Sequence, residues 1–186
     1  MEIVFIRHGH GEHLVDYPNQ LNILHPGLTE YGRMQVMDLK DRVVIGSDDL
    51  VVASPTKRTI ETAQVLLDSS HFFISAAIGP RMFPQMYDTP SLLCDLSYTV
   101  EEIKRLYPTI PILECCVQGG EGINKLRQQD FEKLATDFIN VCRERTKRLL
   151  IISHDGTISN YRVYFGEKEL TRKDFLGEAG MYQTTI

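Results

Sequence analysis

Four side chains that suit anion binding stand close to the ends of short apolar runs. Two are arginines and two are histidines: Arg7, His8, Arg58 and His154. A guanidinium presents a fork of N–H donors that matches two phosphate oxygens, and helix N-termini also attract anions. If the fold brings the four together, the set suits a phosphoryl dianion. Any one of them alone would more often be a solvated or structural residue.

Two strands are expected to carry three of these residues. Arg7 and His8 follow the apolar run 3–6, and His154 comes shortly after the run 149–152. Four consecutive apolar residues predict a strand that is buried on both faces, as in a parallel sheet.

Arg58 is reached from a third apolar run, 50–53. The run stops at a serine and a proline. Ser54 as N-cap, with Pro55 at the first helical position, predicts that a helix starts here. Arg58 would then lie in the first turn, beside the positive end of the helix dipole.

The remaining pattern predicts an α/β fold in three layers. Further strands are expected at 72–78 and 180–186, and further helices from Thr29, from Thr99, over about 123–141 and over about 157–165. Strands that alternate with helices predict a mainly parallel central sheet flanked by helices, whose ligand crevice lies outside the carboxyl ends of the strands. We expect a single domain over 1–186, with an irregular, lid-like excursion over about 79–122.

Composition narrows the class of protein. The net charge of −5 argues against nucleic-acid binding. No apolar run approaches the ~18–20 residues of a membrane span, and the N-terminus lacks the pattern of a signal peptide. Four cysteines without CxxC pairs favour a reducing cytoplasm: Cys94, Cys115, Cys116 and Cys142. We therefore expect a cytoplasmic protein with a small-molecule partner, of an oligomeric state that composition does not fix.

Four segments resemble the histidine phosphatase (phosphoglycerate mutase-like) superfamily in residue type, order and spacing. They are Arg7-His8-Gly9, Leu28 to Gly32 with Gln35, Ser54 to Ala63, and Ser153-His154-Asp155-Gly156. The Ser-Pro-x-x-Arg-x-x-x-Thr-Ala block is specific, and together the segments cover nearly the whole chain.

The resemblance implies a metal-independent phosphatase without a cofactor. By it, His8 is the nucleophile that forms a phosphohistidine, while Arg7, Arg58 and His154 bind the phosphoryl group. Phosphoryl transfer depends mostly on positioning and electrostatic stabilisation, which suits this set. A mutase is the sibling alternative, but the superfamily's mutases are longer chains.

The proton donor is where the sequence departs from the family. The superfamily usually supplies a Glu after the third strand, whereas the matching stretch 80–88 has a proline or a glutamine at that place. Asp88 is the nearest carboxyl and the possible donor, with Glu12 and Asp95 as further candidates. A good leaving group would need little help from an acid. A protein that binds phosphate without turnover is the alternative interpretation.

Two more groups of residues are candidates for substrate contact. His10, Glu12 and His13 could form a metal cluster with the nearby histidine, but the spacing matches no standard site and an adjacent arginine would repel a cation. We expect no metal, with His10 and Glu12 at the mouth of the pocket and His13 exposed. Arg81 is expected to meet a second anionic group of the substrate, with a surface ion pair as the alternative.

Overall fold

The apolar runs form a single sheet in a computed structural model that describes residues 1–68, 71–113 and 122–186. The strands are β1 (Glu2–Arg7), β2 (Leu50–Ala53), β3 (Phe73–Ile74), β4 (Arg148–Ser153) and β5 (Met181–Thr185). Their order in the sheet is β3-β2-β4-β1-β5. β5 runs antiparallel to β1, and the other neighbours are parallel.

Helices cover both faces of this sheet, which confirms the three-layer α/β prediction. They are α1 (Glu30–Lys40), α2 (Lys57–Leu67), α3 (Val100–Leu106), α4 (Gln128–Arg143) and α5 (Asp155–Tyr164). Val4 and Ile6 of β1 pack into a core with α1, α2 and α3. Ile3 and Phe5 pack into a second core with α4 and α5. Successive side chains of a strand point to opposite faces, so strands of continuous apolar residues fill both cores.

The register of the sheet brings the carboxyl ends of three strands to one level. Arg7 at the end of β1 lies opposite Ser153 of β4, and Ala53 at the end of β2 lies opposite Ile152. The residues that come after these strands therefore leave the sheet side by side. The amide of His8 continues the ladder by donating to the carbonyl of Ser153 at 3.1 Å.

The start of α2 differs from the prediction. The helix begins at Lys57 with Thr56 as N-cap, not at the Ser54-Pro55 pair. The hydroxyl of Ser54 instead contacts the Nε2 atom of His154 at 2.9 Å. The side chain of Ser54, which the local pattern predicts to cap the helix, thus contacts His154, a residue far away in the chain.

Two other predicted elements are shorter than expected. The strand at 72–78 is paired only over Phe73–Ile74, because the hydroxyl of Ser75 then accepts from the amide of Ala77 and opens a 3-10 helix over Ala76–Ile78. The helix expected over about 123–141 begins only at Gln128 and extends to Arg143.

The expected excursion from 79 carries a 3-10 turn and the short helix α3. The 3-10 turn spans Leu93–Asp95, and α3 opens with the capping box predicted at Thr99. The amide of Tyr98 donates to the carbonyl of Pro55 at 2.8 Å, which ties the excursion to the segment that leads into α2. Residues 114–121, with Cys115 and Cys116, lie outside the described residues, and the excursion's role as a lid stays a prediction. In the described part of the chain, no helix is long and apolar enough to cross a membrane.

The loop after β1 is pressed against the first turn of α1. A Cβ atom on Gly32 would overlap the carbonyl oxygen of His10 and lie 2.8 Å from its amide nitrogen. A Cβ atom on Gly9 would lie 2.5 Å from the carbonyl oxygen of Gly32. These overlaps are with backbone, which cannot rotate away, so the contact holds the loop next to His8 in place.

We therefore expect Gly32→Ala to destabilise the protein although alanine favours helices. Alanine gains about 1 kcal/mol in a helix interior, while forced overpacking costs about 1–3 kcal/mol, and here the clash is with backbone. Urea unfolding should show a net loss of about 1–3 kcal/mol. Gly177→Ala is the control, because a Cβ there meets nothing within 4 Å. Equal stability of the two variants would contradict the close contact.

Candidate active site

The residue after β1 is a buried, neutral histidine. His8 is 3% exposed, and its Nδ1 lies 2.7 Å from the carbonyl oxygen of Gly9. A carbonyl only accepts, so we assign the proton to Nδ1. The Nε of Arg58 donates to Nε2 of His8 at 3.2 Å, which requires a lone pair on Nε2. Burial first, and then the guanidiniums of Arg58 and Arg7, hold the pKa of His8 well below its usual value.

The residue after β4 is a second buried histidine, in the opposite tautomer. His154 is the N-cap residue of α5 and is 5% exposed. Nη2 of Arg58 lies 3.1 Å from its Nδ1, which must accept because a guanidinium only donates. Nε2 of His154 then carries the proton and donates to the hydroxyl of Ser54. Burial, followed by Arg58, also holds the pKa of His154 well below its usual value.

The side chain of Arg58 joins these two histidines to the excursion. It is 1% exposed and projects from the first turn of α2. Its Nη1 donates to the carbonyl of Cys94 at 2.6 Å, and its Nη2 to Oδ1 of Asp95 at 3.1 Å. Burial lowers the pKa of Arg58, and Asp95 opposes that shift. The structure therefore brings His8, Arg58 and His154 together, as the sequence predicts.

Arg7 borders this cluster from the side of β5. Its Nη1 donates to the carbonyl of Leu176 at 2.5 Å, and its Nη2 pairs with Asp155 at 3.1 Å and with Glu178 at 3.5 Å. Its Nε is buried and has no hydrogen-bond partner within the described ranges. An unpaired buried N–H costs about 1–3 kcal/mol, so an acceptor supplied by a ligand would stabilise it.

His13 is buried, and the prediction that it is exposed is wrong. It is 7% exposed, and its ring centre lies 5.9 Å from that of His8. The ring sits over Gly11, where a Cβ atom would lie 2.6 Å from the Nδ1 atom of His13. That Nδ1 is buried and finds no partner among the residues described. Burial first, and then Arg58, lowers the pKa of His13 to about 3.

His10 and Glu12, the two other candidates from this loop, form hydrogen bonds with the loop that leads into α1. His10 is partly buried, and its Nδ1 lies 3.0 Å from the hydroxyl of Thr29, the N-cap of α1. Oε2 of Glu12 accepts from the amide of Gly27 at 2.7 Å. The described contacts of both side chains are thus with the loop that leads into α1.

Arg81 is buried, and the alternative of a surface ion pair is wrong. It is 2% exposed, and Nη1 donates to the carbonyls of Ile123 and Leu126 at 2.7 and 2.9 Å. Its Nε donates to Asn160, and the guanidinium lies 4.5 Å over the ring of Phe131. Burial lowers the pKa of Arg81. These contacts tie the excursion to α4 and α5.

The candidate proton donors fall in different places. Asp88 is exposed on the excursion and, in the part of the chain that is described, makes no hydrogen bond or ion pair with the cluster. Asp95 pairs with Arg58. Burial raises the pKa of Asp95 although Arg58 opposes the shift.

Sequence reasoning assigned no place in the site to several of these residues. Ser54 was predicted to be a helix N-cap, His13 was predicted to be exposed, and Cys94 was given no role in the site. Their partners lie far away in the chain, and only Gly11, which leaves room for the ring of His13, was a local signal. Among residues 1–68, 71–113 and 122–186, no group of three His, Cys, Asp or Glu side chains could hold a metal ion.

Comparison with known proteins agrees with the motifs. Residues 3–81 match the model of the histidine phosphatase superfamily (branch 1). No curated protein sequence matches the chain.

Solved structures share the fold across the whole chain. A putative α-ribazole-5'-P phosphatase from Escherichia coli superposes with a TM-score of 0.60 at 18% identity, over 100% of this chain and 91% of that one. A mutant phosphoserine phosphatase from Entamoeba histolytica in complex with phosphoserine superposes with a TM-score of 0.61 at 19% identity. The match covers 98% of this chain and 89% of that one. The ecdysone phosphate phosphatase from Bombix mori in complex with tungstate superposes with a TM-score of 0.61 at 15% identity. The match covers 98% of this chain and 88% of that one. The resemblance that the sequence motifs indicated is confirmed, and these identities show the fold alone.

We expect Arg81→Met to lower stability, because the carbonyls of Ile123 and Leu126 would lose their donor in the interior. Each unpaired buried group costs about 1–3 kcal/mol, so urea unfolding should show a loss of about 2–4 kcal/mol. Arg105→Met, at an exposed position of α3, should change stability by less than about 0.5 kcal/mol. If the variant had unchanged stability and a raised KM, the result would instead indicate that Arg81 binds substrate.

The buried histidines predict that acid destabilises the protein. The pKa of each of His8, His13 and His154 is lower in the folded chain than the ~6.5 of an unfolded histidine. Below pH ~6.5 the unfolded chain therefore binds protons that the folded chain does not, and stability falls as the pH falls. Each histidine should contribute up to about 1.4 kcal/mol per pH unit.

Urea unfolding between pH 7.5 and 5.5 measures this slope. His13→Gln removes one of the three groups and should reduce the slope without removing it. A free energy of unfolding that is constant over this range would show that the three imidazoles become protonated in the folded state.

Proposed function

We propose that this chain, whose family match and fold are those of the histidine phosphatase superfamily, is a metal-independent phosphatase. It hydrolyses a phosphorylated small molecule through a phosphohistidine on His8. The observation that carries the proposal is the state of His8, a buried neutral imidazole with its proton on Nδ1 and its lone pair on Nε2. A nitrogen nucleophile needs that lone pair, and the hydrogen bond to Gly9 fixes the tautomer.

The reaction has two steps. In the first, Nε2 of His8 bonds to phosphorus, the bond to the leaving oxygen breaks, and that oxygen takes up a proton. In the second, water attacks the phosphorus, the P–N bond breaks, and inorganic phosphate leaves with His8 neutral again. Charge on the equatorial oxygens is what the protein must stabilise in both steps.

Arg7, Arg58 and His154 are the residues that we propose to bind the phosphoryl group. Arg58 already lies within hydrogen-bond distance of Nε2 of His8, where the phosphorus would arrive. The unpaired Nε of Arg7 would gain an acceptor in a phosphoryl oxygen. His13 would add a further donor whenever its buried Nδ1 carries the proton. The guanidiniums supply the positive charge that metal ions supply in other phosphoryl-transfer enzymes.

The substrate that we propose is a phosphate monoester, without a specified organic part. The similar structures are named for three different phosphates, α-ribazole-5'-P, phosphoserine and ecdysone phosphate, so the fold does not select the organic part. The net charge of −5 favours a small molecule over a nucleic acid. We place the protein in the cytoplasm because of its sparse cysteines.

The first test is to trap the intermediate. We expect the protein to hydrolyse an aryl phosphate in the presence of EDTA and to acquire a phosphoryl label that is acid-labile and base-stable. His8→Ala should abolish both the label and turnover, because it removes the nitrogen that forms the P–N bond. His71→Ala, an exposed position before β3, is the control and should behave like the wild type.

Three outcomes would contradict the proposal. Activity that EDTA abolishes and a metal restores would overturn the metal-free mechanism. Tight phosphate binding without turnover on a broad panel of esters would favour a phosphate-binding protein. Transfer of the label to an added alcohol in preference to water would favour a phosphotransferase of the mutase type.

A further inference from the structure

The proposed reaction needs a proton for the leaving oxygen, and one carboxyl group, that of Asp95, is held at Arg58, the proposed phosphoryl-binding arginine that also contacts His8. Oδ1 of Asp95 lies 3.1 Å from Nη2 of Arg58, and that same Nη2 lies 3.1 Å from Nδ1 of His154. The Nε of Arg58 lies 3.2 Å from the nucleophilic nitrogen of His8. The guanidinium therefore has the proposed nucleophile at its Nε, and both His154 and Asp95 at its Nη2.

That placement suits the geometry of phosphoryl transfer. The attacking and leaving groups stand roughly in line, on opposite sides of phosphorus. A proton donor must therefore lie across the phosphoryl site from His8, within reach of the cluster. Arg58 holds both side chains, with His8 at Nε and Asp95 at Nη2, so a phosphoryl group bound at Arg58 would have the carboxyl of Asp95 within reach.

The turn that carries Asp95 is fixed to the same arginine and to the start of α2. The carbonyl of Cys94 accepts from Nη1 of Arg58 at 2.6 Å, and Cys94 is 2% exposed. Tyr98 is bonded to the backbone of Pro55 at 2.8 Å. Two anchors, one before and one after Asp95, hold its carboxyl at the site. A general acid has to be positioned in this way before its proton can be transferred.

The other candidate carboxyls in the described residues are placed differently. Asp88 is exposed. Glu12 accepts from the amide of Gly27. Asp155 accepts from the amide of Gly156 through Oδ1 at 2.6 Å and pairs with Arg7 through Oδ2. Asp95 has one oxygen on Arg58 and a side chain that is 28% exposed, so its second oxygen can turn to a substrate.

We propose that Asp95 is the general acid of the reaction, an inference that rests on the proposed function. Its carboxylic acid gives its proton to the leaving oxygen as the P–O bond breaks. The resulting carboxylate then takes a proton from the water that attacks the phosphohistidine, which restores the acid. Burial favours the protonated form of Asp95, and the charge of a bound phosphoryl group favours it further.

The test compares leaving groups in one set of variants. Asp95→Asn keeps an acceptor for Arg58 but has no acidic proton. We expect hydrolysis of an alkyl phosphate to fall by about 10²–10⁴ in kcat, the usual contribution of a general acid, and hydrolysis of 4-nitrophenyl phosphate to fall by less than about 10-fold. The basic limb of the kcat–pH profile on the alkyl ester should also disappear. Asp137→Asn, on an exposed position of α4, is the control and should change neither substrate.

Each other result has a distinct meaning. Equal losses on both substrates would show that Asp95 only positions Arg58, and no loss would remove it from the site. A selective loss in Asp88→Asn would assign the acid to Asp88 and overturn the inference. A wild-type protein that hydrolyses neither ester and takes no label on His8 would overturn the proposed function, whereas a labelled wild type with an unaffected Asp95→Asn would overturn the inference alone.

Discussion

The site depends on a buried cation that must be fully paired. A guanidinium with 1% exposure has lost its water, and removing one partner of a buried pair typically costs about 3–5 kcal/mol. Arg58 meets this demand with four acceptors from three separate segments: His8, Cys94 with Asp95, and His154. The ends of two strands, the start of a helix and a turn of the excursion are therefore held to one another by the same side chain.

The sequence predicts the part of this arrangement that depends on strands. Short continuous apolar runs favour buried strands, and parallel strands bring their carboxyl ends to one edge of the sheet, so the convergence of His8, Arg58 and His154 was predictable. The Arg58–Asp95 pair was not, because it joins an irregular stretch to a helix 37 positions away and no periodicity encodes that approach. The burial of His13 was missed for the same reason. A polar loop residue is expected in water unless its contacts across the fold are known.

The residues proposed to transfer the phosphoryl group and the residue proposed to donate a proton lie on different parts of the fold. The proposed nucleophile and the proposed phosphoryl-binding groups lie at strand ends and at a helix start, where backbone hydrogen bonds fix the chain. The proposed proton donor sits on the excursion, outside the sheet. In the proposed enzyme, the step common to all phosphate esters would be built into the core, while the step that depends on the leaving group would be built into a segment that tolerates sequence change.

The opposite tautomers of His8 and His154 have a consequence for the energetics of the proposed reaction. Both imidazoles accept from one guanidinium and donate elsewhere, to the carbonyl of Gly9 and to the hydroxyl of Ser54. Every dipole in this chain of hydrogen bonds therefore has a single orientation, set when the protein folds. In water, solvent dipoles would have to turn as charge moves onto the phosphoryl oxygens, and that reorganisation is a large part of the barrier. Here the protein dipoles are already fixed by the fold, so in the proposed enzyme fewer dipoles would have to turn than in water.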